Sequence, residues 1–323
     1  MLKTSLHCKL ISPMLSYGAN SEQPELRTAE LKGLVRFIYR LCKLNPNCND
    51  VQKLYKEEST LFGNTDKASP LRLVMVPGSS LYSCSVEKLV QHKTFKAKAF
   101  PSGMEFDILI RTAAGISKER HEDYVRLVIL ALSLGGMGKR SRRGRGSFAI
   151  ENKKSNELDA CTEMFPTSKA ELLDFLLKVM NSPLLSEGSY QIENGDITYY
   201  EAQMGKPPFP FITQIKIGEI LNDYTKILER IDRASHEVNK TGLSIYTGFV
   251  DSKKRLDKDI FNDRKPHRMS SSLLVSMIRL SDGLHPIYTY IKPLFENDKL
   301  NDIKCFEDKR DEFVRSVEKG GDQ

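Results

Sequence analysis

The chain has 323 residues, with 49 basic side chains, 42 acidic ones and a formal net charge of +7. This length favours two domains with room for a buried core. The longest apolar run, Leu127–Leu132, is far too short to span a membrane, which excludes that class. No CxxC pair and no Cys/His cluster has the spacing of a zinc site, so we expect no metal, no cofactor and buried thiols in a reducing cytoplasm. The six cysteines are at positions 8, 42, 48, 84, 161 and 305.

The first half of the chain predicts the order β-α-β-β-α-β of a ferredoxin-like domain, a topology that RNA-recognition modules share. In the first strand, Leu6, Cys8 and Leu10 alternate with polar residues, which predicts a half-buried strand. We expect Thr28 to cap the first helix and residues 45–69 to be irregular; residues 77–105 give no clear pattern. The predicted elements are a strand at 2–11, a helix at 29–44, strands at 71–76 and 104–111, a helix at 119–134 and a strand at 148–150.

The second half repeats this order loosely. Ser168 and Glu171 form a capping box, and Asn194-Gly195 is a hairpin signal. The predicted elements are a weak strand near 158–165, a helix to about 180, a hairpin within 190–200, a strand at 211–217, a helix at 219–236, a hairpin of strands 273–280 and 287–291, a surface insertion at 251–268 and a terminal helix after 297. We therefore predict an α+β protein of two tandem ferredoxin-like domains with antiparallel sheets, residues 1–152 and 153–323.

Residues 135–147, the basic loop, lie between a predicted helix and a predicted strand. Their glycines let the backbone adopt positive φ and approach a ligand. Their five cations fall within seven positions, and arginine offers a planar fork of donors that fits phosphate. This combination favours a loop that binds a phosphate backbone. The alternative is a flexible, solvated loop. The cations are Lys139, Arg140, Arg142, Arg143 and Arg145.

Two mononucleotide-binding motifs do not fit the basic loop. A Walker loop needs Ser or Thr after its lysine, and Arg140 follows Gly138-Lys139 here. A dinucleotide fingerprint opens a helix, whereas this loop follows one. A second basic feature, Lys32, Arg36 and Arg40, recurs every four residues along the first predicted helix. It is either an ordinary solvated helix face or the second wall of a groove.

Three stretches resemble one family. Ile11–Asn20 is similar to a "TPMF-GG-N" segment, Glu25–Arg40 to an "EIRPPSIKGALRFWWR" helix and Leu134–Phe148 to an "LGGLGARSRRGFGSV" loop. The family is the RAMP superfamily of CRISPR effector proteins, and the chain most resembles the first RAMP subunit of type III-B (Cmr) complexes. Ile38-Tyr39 replaces the family's paired tryptophans, and Arg145 stands where an aromatic residue is usual.

The resemblance implies a non-catalytic RNA-binding subunit of a type III-B ribonucleoprotein in antiviral defence. It implies binding near the 3′ end of the CRISPR RNA (crRNA), beside other Cmr subunits and away from membranes. The crRNA is the expected partner, and target RNA is a second candidate. The residues that the resemblance and the charge pattern together place at RNA are Asn20, Arg27, Lys32, Arg36, Arg40, Gly136, Gly138, Lys139, Arg140, Ser141, Arg142, Arg143 and Arg145.

Two alternatives remain. A metal-independent RNA endonuclease needs a base for the 2′-hydroxyl and a cation for the developing charge. His7 on the polar side of the first strand is the first candidate, and His267, beside Arg264, Lys265 and Arg268, is the second. A pure scaffold would instead use its arginines to dock proteins. Asn20, with no Asp among residues 1–49, weighs against cleavage of target RNA.

Overall fold

The computed structural model describes residues 1–44, 50–78, 84–89, 92–155, 165–186, 188–200, 208–240, 246–251, 267–292 and 308–319. For residues 89, 92–95, 154–155, 239–240, 249–251 and 267–269 it describes the backbone alone. The helices are α1 (Thr28–Cys42), α2 (Val51–Phe62), α3 (Lys118–Leu134), α4 (Lys169–Met180), α5 (Tyr224–Lys240) and α6 (Arg310–Lys319). The strands of the first half are β1 (Lys3–Leu10), β2 (Leu71–Pro77), β3 (Ser85–Leu89), β4 (His92–Ala99), β5 (Glu105–Thr112) and β6 (Phe148–Ser155). Those of the second half are β7 (Tyr190–Glu193), β8 (Asp196–Tyr199), β9 (Phe211–Ile217), β10 (Phe249–Asp251), β11 (His267–Met269), β12 (Leu273–Arg279) and β13 (Leu284–Lys292).

The first sheet has the strand order β2-β5-β1-β6, and its neighbours are all antiparallel. With α1 and α3 as the two crossover helices, this is the ferredoxin-like arrangement that the sequence predicted. The even-numbered residues of β1 are buried and the odd-numbered ones are partly exposed, as the alternation in the sequence required. His7 consequently lies on the outer face, opposite Asp107 of β5 and Asn152 of β6.

The second sheet has the order β12-β13-β9-β8-β7, again with antiparallel neighbours. Its strands β12-β13-β9-β8 correspond in position to β6-β1-β5-β2 of the first sheet. The position of β1 is thus taken by β13, which is the last of the described strands along the chain.

The weak strand expected near 158–165 falls almost entirely outside the described residues. The same is true of most of the 251–268 segment, of which the end of β10 and the start of β11 are described.

Two local expectations were wrong. Residues 51–62, expected to be irregular, form α2, which begins at an N-cap where the Asp50 carboxylate accepts a hydrogen bond from the Gln52 amide. Thr28 is the first residue of α1 and does not cap it. Its hydroxyl oxygen accepts a hydrogen bond from the Met75 amide at 3.1 Å, so it joins α1 to the edge strand β2.

Other element predictions were confirmed. At the tip of the β7–β8 hairpin, Asn194 and Gly195 have φ values of 52° and 82°, as a tight hairpin turn requires. Ser168 caps α4 by accepting from the Glu171 amide at 3.3 Å. The Glu171 carboxylate reaches the Thr167 amide, one residue earlier than in a standard capping box. The segment 77–105, for which no element was predicted, contains a two-stranded hairpin, β3 and β4.

The two halves pack on one continuous apolar core that runs from β1 to β13. Backbone and side-chain hydrogen bonds also cross between them: the Gly144 amide donates to the Val275 carbonyl at 2.8 Å, and the Ser276 hydroxyl donates to the Ser133 carbonyl at 2.6 Å. The halves are therefore firmly joined, and the boundary near residue 152 stays a prediction. Within the described residues, no helix combines the length and the apolar character needed to cross a bilayer.

Candidate nucleic-acid interface

The basic loop is a folded element and not a flexible tether. The Met137 amide donates to the Gly146 carbonyl, and the Lys139 amide donates to the Leu15 carbonyl at 2.9 Å. At Gly138 the φ value is 87°, and a Cβ atom there would lie 2.7 Å from the Leu15 backbone. Only glycine fits this conformation and this approach. The loop is thereby fixed against the segment Leu15–Tyr17, which follows β1.

Arg145 points into the protein. It is 1% exposed, and its Nη1 and Nη2 donate to the Asp232 carboxylate of α5 at 3.1 and 2.9 Å. Such a two-point pair in a buried setting fixes the relative positions of the two groups. Arg145 therefore joins the basic loop to the second half of the chain and does not offer its guanidinium to phosphates, contrary to its place in the predicted set.

Arg142 and Arg143 also bind the second half. Arg142 Nη1 donates to the Ser271 carbonyl at 2.5 Å, and Arg143 donates to the Thr247 carbonyl while its guanidinium covers the Phe313 ring. Burial, with the positive charges of Arg140 and Arg142, lowers the pKa of Arg143 to about 10. The charge of Arg143 is therefore costly here, and its carbonyl and aromatic partners offset part of the cost.

An open cleft of about 410 Å³ lies between the basic loop, α1 and the segment Leu15–Tyr17. Two cations in its wall cover aromatic rings: Lys139 Nζ lies 4.6 Å from the Tyr17 ring centre, and Arg142 Cζ lies 5.1 Å from that of Phe37. The lining residues that carry the argument are Tyr17, Gly33, Phe37, Gly136, Gly138, Lys139, Ser141 and Arg142. Cations beside flat aromatic faces suit both the phosphates and the bases of a single-stranded nucleic acid.

Arg140 stands at the rim of the basic loop and is exposed. Its φ of 61° is left-handed, a conformation that costs a residue with a Cβ atom on the order of 1 kcal/mol. The backbone of Arg140 is thus held in this conformation at a cost. Together, Lys139 and Arg140 are the exposed cations of the loop.

The predicted basic stripe on α1 divides into two parts. Arg36 Nε and Arg40 Nη1 both donate to one oxygen of Glu58 on α2, at 2.6 and 2.7 Å. Glu58 is 3% exposed, so the pair of arginines mainly neutralises a buried carboxylate. Lys32 remains on the helix face beside Gly33, where a Cβ atom would meet nothing within 4 Å. Burial, reinforced by the charge of Arg36, lowers the pKa of Lys32, so an anion beside it would be stabilising.

Asn20 and Arg27 lie in the segment that leads to α1. Asn20 is exposed and its side-chain oxygen accepts from the Glu22 amide at 2.9 Å. Arg27 Nη1 donates to the Tyr17 carbonyl at 3.0 Å and lies 3.6 Å from Glu30. Arg27 therefore positions the residue whose ring lines the cleft, while Asn20 faces solvent.

The outer face of the first sheet carries the nuclease candidate His7. Its Nδ1 lies 2.9 Å from Asp107, and its Nε2 lies 3.9 Å from both Glu105 and Glu151. Lys9 is paired with Glu105 at 3.2 Å. Three carboxylates around one imidazole make this face unfavourable for a polyanion. The side chain of His267 is not among those described.

The sequence did not reveal the acidic side chains that bind the arginines and so determine which arginines are engaged within the protein. Asp232 of α5 lies 87 residues from Arg145, and Glu58 of α2 lies 18 and 22 residues from the two arginines it binds, so no local spacing indicates them. Tyr17 and Phe37 were also missed as cleft residues. Each lies inside a stretch that carries the family resemblance, which was the available signal.

The chain resembles known proteins in both sequence and fold. Residues 7–149, which include most of the first sheet and the whole basic loop, match the family model "RAMP superfamily". This match confirms the resemblance to the RAMP superfamily over those residues, which are less than half of the chain. Among curated proteins of Pyrococcus furiosus, the CRISPR system Cmr subunit Cmr1-1 is 28% identical over 162 residues, covering 43% of this chain and 44% of that protein. Cmr subunit Cmr1-2 is 23% identical over 181 residues, covering 47% of this chain and 96% of that protein.

The chain thus matches less than half the length of the first of these relatives. Solved structures extend the likeness in fold to the second half. The apo crystal structure of Cmr1 from Pyrococcus furiosus has a TM-score of 0.62 at 17% identity, covering 98% of this chain and 97% of that one. A chain of the cryo-EM structure of type III-B Cmr-beta, bound to cognate target RNA and AMPPnP, has a TM-score of 0.60 at 15% identity, with 98% of each chain covered. At these identities the likeness establishes the fold alone.

Proposed function

We propose that this chain is a non-catalytic RNA-binding subunit of a type III-B CRISPR effector complex, acting in the cytoplasm. The cleft between the basic loop and α1 holds the backbone of single-stranded RNA near the 3′ end of the crRNA, with target RNA beside it. Other Cmr subunits pack around it. The similarity to Cmr1 proteins and to a chain of an RNA-bound Cmr-beta complex supports this assignment.

The observation that carries the proposal is the composition of the cleft wall. Lys139 and Arg142 each lie over an aromatic ring, and both line the open cleft beside Gly136 and Gly138 of the basic loop. Gly33, the neighbour of Lys32, lines the same opening, as do Lys139 and Ser141, the neighbours of Arg140. We assign phosphate contacts to Lys32, Lys139 and Arg140, while Arg142, Arg143 and Arg145 hold the loop in shape.

The endonuclease alternative has less support. His7 has an orienting carboxylate, as a general base would. However, its second nitrogen faces two more carboxylates, and the nearest cation, Lys9, is already paired with Glu105. A developing negative charge would find no stabilising group there among the described side chains.

The test is a titration of the purified chain with an end-labelled, single-stranded oligouridine over a series of salt concentrations. The cleft variant Lys32→Gln/Lys139→Gln/Arg140→Gln removes three phosphate contacts, so the salt slope should fall by roughly 2 and the affinity should drop. The matched control is Lys56→Gln/Lys67→Gln/Lys226→Gln, which removes three exposed lysines away from the cleft and should bind as the wild type does.

Each other outcome contradicts the proposal in its own way. A wild-type chain that does not bind the oligouridine at any salt concentration would favour a scaffold role. Shortened RNA without added metal, abolished by His7→Ala, would assign the chain to the endonucleases. Equal losses in the cleft variant and the control would show that net charge alone is responsible.

A further inference from the structure

The hairpin of β3 and β4 carries a row of lysines on one face. In its register, Lys88 lies directly opposite Lys96, and Val86 lies opposite Lys98. Residues directly opposite, and residues two apart along a strand, point to the same side of a sheet. Lys88, Lys96 and Lys98 therefore share one face with Val86, and all four side chains are exposed.

The pairing of Lys88 with Lys96 is unfavourable for the hairpin alone. Two like charges directly opposite each other on neighbouring strands destabilise a sheet. Among the described residues, none of the three lysines forms an ion pair that would offset this repulsion. A two-stranded sheet has little stability to spare, so an arrangement of this kind points to an anion that binds from outside.

The opposite face of the hairpin fixes its orientation. Glu87 and Ala97 alternate with the lysines and are partly buried. Burial raises the pKa of Glu87, while the nearby charge of Arg145 lowers it. This face therefore packs towards the basic loop and α5, which leaves the lysine face turned to solvent.

The hairpin also adjoins the cleft. The Tyr17 hydroxyl donates to the Lys98 carbonyl, and the ring of the same tyrosine lies beneath Lys139 in the cleft wall. One aromatic side chain thus separates the lysine face from the cleft. A strand of RNA that leaves the cleft past Tyr17 meets Lys98 next and the Lys88–Lys96 pair after it, about 7 Å further along the hairpin.

We propose that the lysine face of the β3–β4 hairpin is a second RNA-binding surface, which receives the phosphates of the strand as it leaves the cleft. This inference rests on the proposed function of the cleft. It extends the RNA contact to Lys88, Lys96 and Lys98, which neither the sequence pattern nor the family resemblance assigns.

The test uses the full-length chain, the same oligouridine and four variants. The hairpin variant is Lys88→Gln/Lys96→Gln/Lys98→Gln, measured beside the cleft variant and the three-lysine control defined above. The hairpin variant should lower the salt slope by roughly 2, as three lost phosphate contacts on a single strand predict. The control should leave the slope unchanged.

The fourth variant, Lys88→Glu, separates binding from hairpin stability. It places a carboxylate opposite Lys96, which should stabilise the hairpin and keep or raise the midpoint of thermal unfolding. RNA affinity should nevertheless fall. A variant that unfolds earlier and binds RNA as well as the wild type would contradict the proposal, since the lysines would then be structural.

The remaining outcomes distinguish the two proposals. If the cleft variant loses affinity while the hairpin variant binds with the wild-type slope, the hairpin proposal is wrong and the function of the cleft stands. If neither variant differs from the wild type, both are wrong. If the hairpin variant and the control lose affinity equally, the lysine face is not a specific surface.

Discussion

The basic loop and the outer face of the first sheet are the two charged surfaces that β1 connects. On the sheet, His7 and Lys9 lie among Asp107, Glu105 and Glu151, so each of these two side chains has a carboxylate within 4 Å. At the loop, the carboxylate that pairs with Arg145, Asp232, is buried. Lys139 is exposed and lines an open cleft, and the exposed Arg140 follows it in the loop. The charged groups of the first surface pair with one another, whereas Lys139 of the second lines an open cleft and covers an aromatic ring.

This difference teaches that topology alone does not locate a nucleic-acid surface. In RNA-recognition modules of the same topology, bases stack on the outer face of the sheet. Here that face carries three carboxylates around His7 and offers no aromatic side chain among those that surround it. The RNA surface that we propose lies instead where the chain leaves α3, at the edge of the sheet.

The largest effect is expected at the buried pair. Arg145→Ala leaves Asp232 buried without a partner and should destabilise the fold by roughly 3–5 kcal/mol. The double variant Arg145→Met/Asp232→Leu removes both charges and should recover most of that loss. Urea unfolding of the wild type, Arg145→Met, Asp232→Leu and the double variant measures the coupling energy. A coupling energy near zero would show that the pair does not hold the loop.

Alkaline pH should destabilise the packing of α6, whose Phe313 ring lies against Arg143 of the basic loop. The hydroxyls of Tyr288 and Tyr290 donate to Glu318 and Asp311 of α6 at 2.6 and 2.8 Å. Burial, with these carboxylates, raises the pKa of both tyrosines. Since the folded pKa exceeds the unfolded one, the stabilisation is complete below pH 10 and is lost as pH rises above it.

The expected loss is up to about 1.4 kcal/mol per pH unit for each tyrosine. Tyrosinate absorbance and circular dichroism, recorded together from pH 9 to 12, should change in one step. In Tyr288→Phe/Tyr290→Phe the step should shift to higher pH. Ionisation of these tyrosines without any loss of helix signal would contradict this account.

A smaller effect is expected at the rim of the loop. Arg140→Gly relieves the left-handed backbone at that position, so the free energy of unfolding should change by less than about 1 kcal/mol. The salt slope for RNA should nevertheless fall by roughly 0.7, because one phosphate contact is lost. Arg140→Lys is the matched control and should restore the slope. Loss of the fold in Arg140→Gly would mean that the side chain is structural.

The smallest effect is expected on the sheet. His7→Gln removes exposed ion pairs, which contribute about 0–1 kcal/mol, and should leave both stability and RNA affinity nearly unchanged. The RNA should also remain intact on a denaturing gel. Weaker RNA binding in this variant, but not in the neighbouring Ser5→Ala control, would reverse the comparison between the two surfaces.

Sequence reasoning predicted what depends on local patterns. The alternation of β1, the helical spacing of α1 and α3 and the Asn194-Gly195 turn were confirmed, because each is determined by neighbours within a few residues. The basic loop was correctly placed between α3 and β6. Its role as an RNA contact stays a prediction.

The distribution of the arginines could not be predicted in the same way. Arg142, Arg143 and Arg145 look alike in the sequence, yet their partners Ser271, Thr247 and Asp232 lie 87 to 129 residues away. Only the tertiary fold decides which cation is buried. The same holds for α2, whose buried Glu58 is explained by the two arginines of α1.

The strand order of the second sheet has a consequence for how the chain folds during its synthesis. The interior strand β13 is the last of the described strands to leave the ribosome, whereas the first sheet is complete once β6 has emerged. Until β13 arrives, β9 has one open edge that can pair with other strands and promote aggregation. A nascent chain that pauses before residue 284 therefore presents a finished first sheet beside an unprotected half-sheet, and this is the stage at which we expect chaperones to engage it.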